Sequence, residues 1–429
     1  MAKPHDRSGS VNLRLAGYAC LRCESRFPAE LSVDSTGCPN CRAVAPANLF
    51  PVSSPDVLDS APAKKSAVAA ASSLWRYADA LPVESHESVS LGEGLTPLLH
   101  LERMGRHFGL ERLFVKDEGR NPTWSHKDRF STVMVSYARL MNAKVVATAS
   151  SGNAGASLAA YAAAAGIGCV VSTFAATSGA MVSQARRYGA TVIPFESKRD
   201  RWSFLAEGAK RHDWLIASPY HAPVVGSHPI GVAGYKTLAY EIVDQLGGPP
   251  DWCILPVCYG DALIGLWHGF KELKQSGRLD RLPKLAAAEV YGSLGQALKV
   301  KSDVLVDCPM PFETLAVSIG TQRSTFQALH ALRQSGGVAV SVVNEELLDM
   351  QGQLARREGL FVELTSAAPL VAMQKLIGDG VIRSDERVVA IATASGLKDM
   401  DLSGGSTKTP VKPFPSIGAA LAHVEERGV

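Results

Sequence analysis

The stretch Glu118-Gly119-Arg120-Asn121-Pro122-Thr123-Trp124-Ser125-His126-Lys127-Asp128-Arg129 is followed, about one βα unit later, by Ser151-Gly152-Asn153-Ala154-Gly155. The first segment sets a lysine ahead of a helical run. The second is a glycine-rich turn between a β-rich run and a helix start. Helix starts present unpaired N–H groups and favour anions. A lysine amine beside such a cradle suits a cofactor with both a carbonyl and a phosphate. Pyridoxal phosphate has both, so the pairing points to a Schiff-base lysine and amino-acid chemistry.

Outward from this core, the chain alternates. Residues 112–116 read as a strand, 127–141 as a helix, 143–149 as a strand and 154–165 as a helix. Strand 168–174, helix 178–188 and strand 191–194 continue the pattern. A second block reads as helix 235–245, strand 252–257, helix 263–275 and strand 284–291. Strand 338–343, helices 345–358 and 366–376 and strand 387–392 close it. Alternation with short connections predicts parallel α/β sheets covered on both faces. Two such blocks imply a cleft between them, where cofactors bind.

The 429 residues are 46% hydrophobic and 20% charged, with a formal charge of +3. That composition is ordinary for a globular chain and gives no reason to expect nucleic acid. No apolar run reaches the roughly 18 residues needed to span a bilayer. The start, 1–14, is charged and lacks an apolar signal core, so the expected location is the cytoplasm.

Cys20, Cys23, Cys38 and Cys41 form two C-x-x-C pairs, while Cys169, Cys253, Cys258 and Cys308 are dispersed. Each pair can offer two thiolates from one tight turn, the arrangement of a structural zinc ribbon. Four unligated thiols are the alternative. A Ser-, Ala- and Pro-rich linker follows. The expected organisation is a ribbon over 1–50, a linker over 51–73, a large domain from 74–125 and 226–429, and a small α/β domain over 126–225.

Several segments, in order, resemble the threonine synthase family. They are Leu91-Gly92-Glu93-Gly94-Leu95-Thr96-Pro97-Leu98, Lys116 to Thr123 with Ser125 and Lys127-Asp128-Arg129, Ser151-Gly152-Asn153, Tyr259-Gly260-Asp261-Ala262-Leu263, and Thr393-Ala394-Ser395-Gly396-Leu397-Lys398-Asp399. An amino-terminal zinc ribbon also occurs in some members. The resemblance implies the tryptophan-synthase-β-like fold, fold type II: two three-layer α/β domains with the cofactor in the cleft. It implies Lys127 as Schiff-base lysine and general base. Asn153 would meet the cofactor's phenolic oxygen, and Cys258, Tyr259, Gly260, Asp261 and Ala262 would form the phosphate loop. Thr393 would meet the pyridine nitrogen. Thr96, Trp124, Ser125, His126, Ser150, Ser151 and Gly152 would face the substrate, and a homodimer is the family's expectation.

Bottom-up alternatives remain beside these roles. Lys116, Lys144, Lys236 and Lys398 compete with Lys127, Lys236 most strongly. Asn153 or Ser151 could serve only as a helix cap. The chain also departs from the family pattern. Trp124 and His126 stand where the family has Gly and Phe; His126 near neutrality would be a second acid or base, and a ring stacked beside the cofactor or packed in the core is an equal alternative. Gly231 and Ala233 stand where the family carries an arginine and a glutamate, the arginine helping to hold the phosphate of O-phosphohomoserine. Losing that bidentate fork weakens recognition of a phosphorylated substrate, unless His228 or Arg120 takes over. The expected activity is β- or γ-elimination or replacement on a small amino acid. A serine/threonine-type deaminase or a β-replacement synthase are alternatives, and a non-catalytic zinc-ribbon interaction protein is a third.

Overall fold

The computed structural model describes residues 15–53, 72–175, 179–400 and 413–426. Most of the expected linker, 54–71, lies outside these residues, as does the start, 1–14. Strands β1 (Gly17–Cys20), β2 (Arg26–Phe27) and β3 (Leu49–Val52) form a small antiparallel sheet in the order β2-β1-β3. It has its own apolar cluster, in which Tyr18, Cys38 and Leu49 pack against Trp75, Leu81 and Val133.

Two larger sheets carry the rest. β4 (Leu98–His100) and β5 (Leu113–Asp117) come first in the chain. They join β10 (Trp252–Pro256), β11 (Lys284–Glu289), β12 (Val338–Ser341) and β13 (Val388–Ala392) in one six-stranded sheet. Its order is β12-β11-β10-β13-β5-β4. All pairs are parallel except β4 with β5, so the sheet is mixed where the alternation predicted parallel strands alone. Between them in sequence, β6 (Val145–Ala149), β7 (Gly168–Phe174), β8 (Thr191–Phe195) and β9 (Leu215–Ile216) form a parallel sheet ordered β8-β7-β6-β9.

The central strands are runs of small and β-branched residues buried on both faces, such as Val388-Val389-Ala390-Ile391-Ala392. Helices cover them, so such runs need no polar alternation. Helices Lys127–Leu140 and Asn153–Ala165 pack closely, as does Lys236–Leu246 against Asp261–Gln275. The loop and helix starts that follow β6, β10 and β13 carry the chemistry described next, as expected at the carboxyl ends of parallel strands.

Candidate active site

Lys127 is the first residue of its helix and is locked there by its two neighbours. The Asp128 carboxylate accepts from Thr123 N at 2.6 Å and from the hydroxyls of Thr123 and Ser157. The fully buried Arg129 guanidinium donates to Glu118 at 2.7 and 2.8 Å and to Glu241 at 2.6 and 2.7 Å. Glu241 also takes the Lys116 ammonium at 2.7 Å. The rival lysines are thereby accounted for. Lys116 is in that ion cluster, Lys236 pairs with Glu272 at 2.9 Å, Lys144 is exposed, and Lys398 donates to Gln184 at 2.9 Å.

Lys127 keeps part of its surface open, but its amine is enclosed. Burial lowers its pKa, with Asp261, Cys258 and Glu363 pulling the other way. The net direction favours the neutral, nucleophilic amine. Burial pushes the Cys258 thiol up to about 12, so it stays protonated although Lys127 and Lys198 pull the other way.

The turn after β6 faces the same place. Ser150 Oγ accepts from Gly152 N at 3.2 Å and Gly155 N at 3.0 Å, fixing the turn into the Asn153–Ala165 helix. Ser150, Ser151 and Gly152 line a small crevice with Met181 and Val182. Asn153 is buried; its Nδ2 donates to Glu363 Oε2 at 2.7 Å. Glu363 Oε1 accepts from Ser318 Oγ at 2.9 Å. Asn153 Oδ1 and Ser125 Oγ are buried with no hydrogen-bond partner. Orphaned polar atoms carry a cost of about 1–3 kcal/mol each unless a ligand satisfies them. Two of them flanking the Lys127 region fit a polar cofactor there.

The third part is the turn after β10. Gly260 takes φ 78° and starts the 15-residue Asp261–Gln275 helix. A Cβ at Gly260 would lie 2.4 Å from Ala328 Cβ, so only glycine fits. The first intrahelical bond here runs from Ile264 N to Gly260 O at 2.9 Å. The N–H groups of Asp261, Ala262 and Leu263 precede it and are free for an anion. The carbonyls of Cys258 and Tyr259 are held by Ser324, Thr325 and Gln327 at 2.6, 2.6 and 2.9 Å. The Asp261 carboxylate accepts from Ser227 N, Ser227 Oγ and Gln327 Nε2 at 3.0, 2.6 and 2.6 Å, which fixes its position.

At the end of β13, the Thr393 hydroxyl lies 3.0 Å from Ser366 Oγ. Glu363, Ser366, Ser318 and Gln327 were not picked out from sequence. Glu363 alone left a signal, a single acid in the apolar run Leu360 to Leu364.

The residues singled out for substrate recognition have these surroundings. His126 is buried and its ring N–H donates to Thr393 O at 3.2 Å. Burial first, then Lys127 and Arg129, hold its pKa well below 6.5, so it does not titrate near neutrality. Thr96 is buried, donating to Glu118 and accepting from Arg129 at 3.3 Å. Arg120 pairs with Asp117 at 3.0 Å, and His228 is fully buried, capping its helix by accepting from Ile230 N at 3.3 Å. Trp124 is 47% exposed with φ 65°, placing a large ring beside the Lys127 segment. Gly231 has no room for a side chain, since a Cβ would lie 2.4 Å from the Phe130 ring.

The four ribbon cysteines converge. Their sulfurs lie within 4.8 Å of one another, with Cys20–Cys41 at 3.3 Å, Cys23–Cys41 at 3.5 Å and Cys23–Cys38 at 3.8 Å. A tetrahedral zinc with bonds of about 2.3 Å sets its sulfurs about 3.8 Å apart. The donor set fits that ion.

A lysine whose burial favours the neutral amine, set among helix starts of one mixed and one parallel sheet, defines a cofactor-dependent α/β enzyme of small-molecule metabolism. Residues 89–394 match the pyridoxal-phosphate-dependent enzyme family, and the chain belongs to it. The threonine synthase of Methanocaldococcus jannaschii is 37% identical over 350 residues, covering 79% of this chain and 84% of that protein. The threonine synthase of Methanosarcina acetivorans is 39% identical over 333 residues, covering 76% and 80%. Among solved structures, serine racemase from Dictyostelium discoideum superposes with a TM-score of 0.58 at 22% identity, covering 70% of this chain and 92% of that one. The processed threonine deaminase isoform 2 of Solanum lycopersicum gives 0.61 at 19%, covering 74% and 88%. The fold is type II, and the protein is a PLP-dependent enzyme of the lyase and synthase class.

Proposed function

We propose that the protein performs β- or γ-elimination or replacement on a small amino acid, as a threonine synthase-like enzyme with an altered way of recognising its substrate. The observation that carries this is the enclosed Lys127 amine, lowered in pKa by burial and flanked by the orphaned Asn153 Oδ1 and Ser125 Oγ. Bound pyridoxal phosphate supplies an electron sink that acidifies the substrate's α-hydrogen.

This chain's residues do the rest. Lys127 Nζ is the attachment point, and once released it takes the α-proton. The Cys258–Ala262 turn holds the phosphate through backbone N–H groups, and Gln327 with Ser227 holds the Asp261 carboxylate away from it. Asn153 and Ser125 bind the ring's polar edge. The Thr393 hydroxyl serves the ring nitrogen without enforcing its protonation, which suits elimination over transamination. Backbone groups at Ser150, Ser151 and Gly152 take the substrate carboxylate. Neutral His126 packs beside the site as a fixed donor to Thr393 O.

Residues 74–125 with 226–429 form the large domain in this reading, and 126–225 the small one. Cys20, Cys23, Cys38 and Cys41 hold a structural zinc, and the enzyme works in the cytoplasm as a homodimer. The filled position at Gly231 favours a second reading alongside threonine synthesis, a deaminase or β-replacement synthase. The test is spectroscopic. Purified protein is expected to absorb in the near-visible range, and borohydride should fix the cofactor to the Lys127 peptide. Lys127→Ala should abolish trapping. A preparation that takes up no added cofactor would overturn the reading.

A further inference from the structure

The helix after β8, Lys198–His212, was absent from the sequence reading, and it brings two cations to the cleft edge. Lys198 and Arg201 are three residues apart and share a face of this 15-residue helix. Lys198 Nζ donates to the hydroxyl of Tyr259, in the turn after β10, at 3.1 Å. Arg201 is only 6% exposed; its guanidinium carbon lies 4.1 Å from the Phe174 ring centroid, at the end of β7. Its buried Nε has no hydrogen-bond acceptor. Among the described residues no carboxylate lies within ion-pair distance of either cation. Asp307, which attracts Lys198, is already paired with Arg323 at 3.0 Å. Asp200 hydrogen-bonds Ser197 on another face of the helix.

A buried guanidinium without an anion is costly, and a ligand anion would offset that cost. The position suits a substrate. β6, β7 and β8 are parallel neighbours, so the turn after β6 and the helix after β8 open on the same edge. One strand separates them, a spacing of about 10 Å. That spacing is within reach of an amino acid whose carboxylate sits at Ser150–Gly152 and whose distal end extends along the sheet edge.

We propose that Lys198, Arg201 and the Tyr259 hydroxyl form an oxyanion subsite for a phosphate-type group at the distal end of the amino-acid substrate. The subsite takes over a task that Gly231 cannot perform. The proposal rests on the Lys127 cleft being the amino-acid site, which borohydride trapping tests separately.

The experiment uses cofactor-loaded protein and measures binding of O-phosphoserine, O-phosphohomoserine, serine and homoserine by spectral shift, with inorganic phosphate as competitor. Wild type should prefer each phosphorylated ligand to its neutral counterpart. Arg201→Gln and Lys198→Gln should each weaken the phosphorylated ligands about tenfold, the loss of a charge-assisted bond. Neutral ligands and cofactor affinity should stay within about twofold on the same basis, and Arg201→Lys should restore part of the loss. No preference in wild type, or equal losses for phosphorylated and neutral ligands, would overturn the proposal. So would lost cofactor affinity with unchanged ligand preference, which would assign the cations to the cofactor's own phosphate.

Discussion

Asn48 of the ribbon donates its side-chain amide to Gln327 Oε1 at 3.2 Å. Gln327 in turn donates to the Tyr259 carbonyl at 2.9 Å and to Asp261 at 2.6 Å. Asn48 also donates to the Ser227 carbonyl at 3.0 Å, and Ser227 bonds Asp261. The cysteine ribbon and the turn after β10 are thus two hydrogen bonds apart. Asn48→Ala is expected to weaken cofactor binding by between about twofold and tenfold, the worth of one net hydrogen bond. Gln327→Leu removes both contacts to the turn and should cost more. Titration of cofactor-free protein by absorbance measures both. An Asn48→Ala affinity equal to wild type would show that the turn holds its shape without the ribbon.

Metal removal follows the same path. One zinc per chain is expected, lost in Cys20→Ser/Cys23→Ser. Because a structural metal's binding energy is folding energy, the variant should melt earlier and hold cofactor more weakly. Elemental analysis with thermal unfolding decides it. Equal, negligible metal in both proteins would defeat the assignment.

Gly231→Arg should not rebuild the family's phosphate fork. Gly231 lies under the Phe130 ring, and the backbone at Gly234 sits so close to Arg129 O that a Cβ there would be 1.9 Å away. Over-packing of this kind costs about 1–3 kcal/mol before any buried charge is counted. Gly231→Arg should lower the melting temperature, and adding Phe130→Ala should recover part of the loss.

The parts legible in the sequence were those coded locally. β-branched and small runs marked β5 to β8 and β10 to β13 but not β1 to β4 or β9, with β7 placed at residues 168–174 as found. The Cys pairs and the Lys127 segment carry their chemistry in adjacent residues. What stayed hidden depends on contacts far apart in sequence. Arg129 meets Glu241, and Asn153 meets Glu363, across more than a hundred residues. The Lys198–His212 helix was missed because its charged sequence buries only Arg201, Leu205 and Gly208, leaving little apolar periodicity. The sequence left His126 open between an acid or base and a packed ring, because it shows a histidine's type but not its burial.

The Arg129–Glu241 pair contributes to the protein's acid sensitivity. Burial alone would raise the Glu241 pKa, but Arg129 and Lys116 outweigh it and hold the carboxyl at about 2. A depressed carboxyl pKa contributes stability that is present in full above the unfolded value, near 4.5. That contribution is lost as pH falls from there toward 2. Glu241→Gln leaves Arg129 and Lys116 short of a buried counter-charge, a loss of about 3–5 kcal/mol for a broken buried pair. The gap between wild type and Glu241→Gln should therefore be widest at neutral pH and close as the pH falls below about 4.5. Denaturant unfolding across that range reads it directly. A gap that does not depend on pH would mean that Glu241 contributes through packing rather than charge. Because Arg129 follows Lys127 by two residues, the same variant should also loosen the start of that helix and weaken cofactor binding at neutral pH.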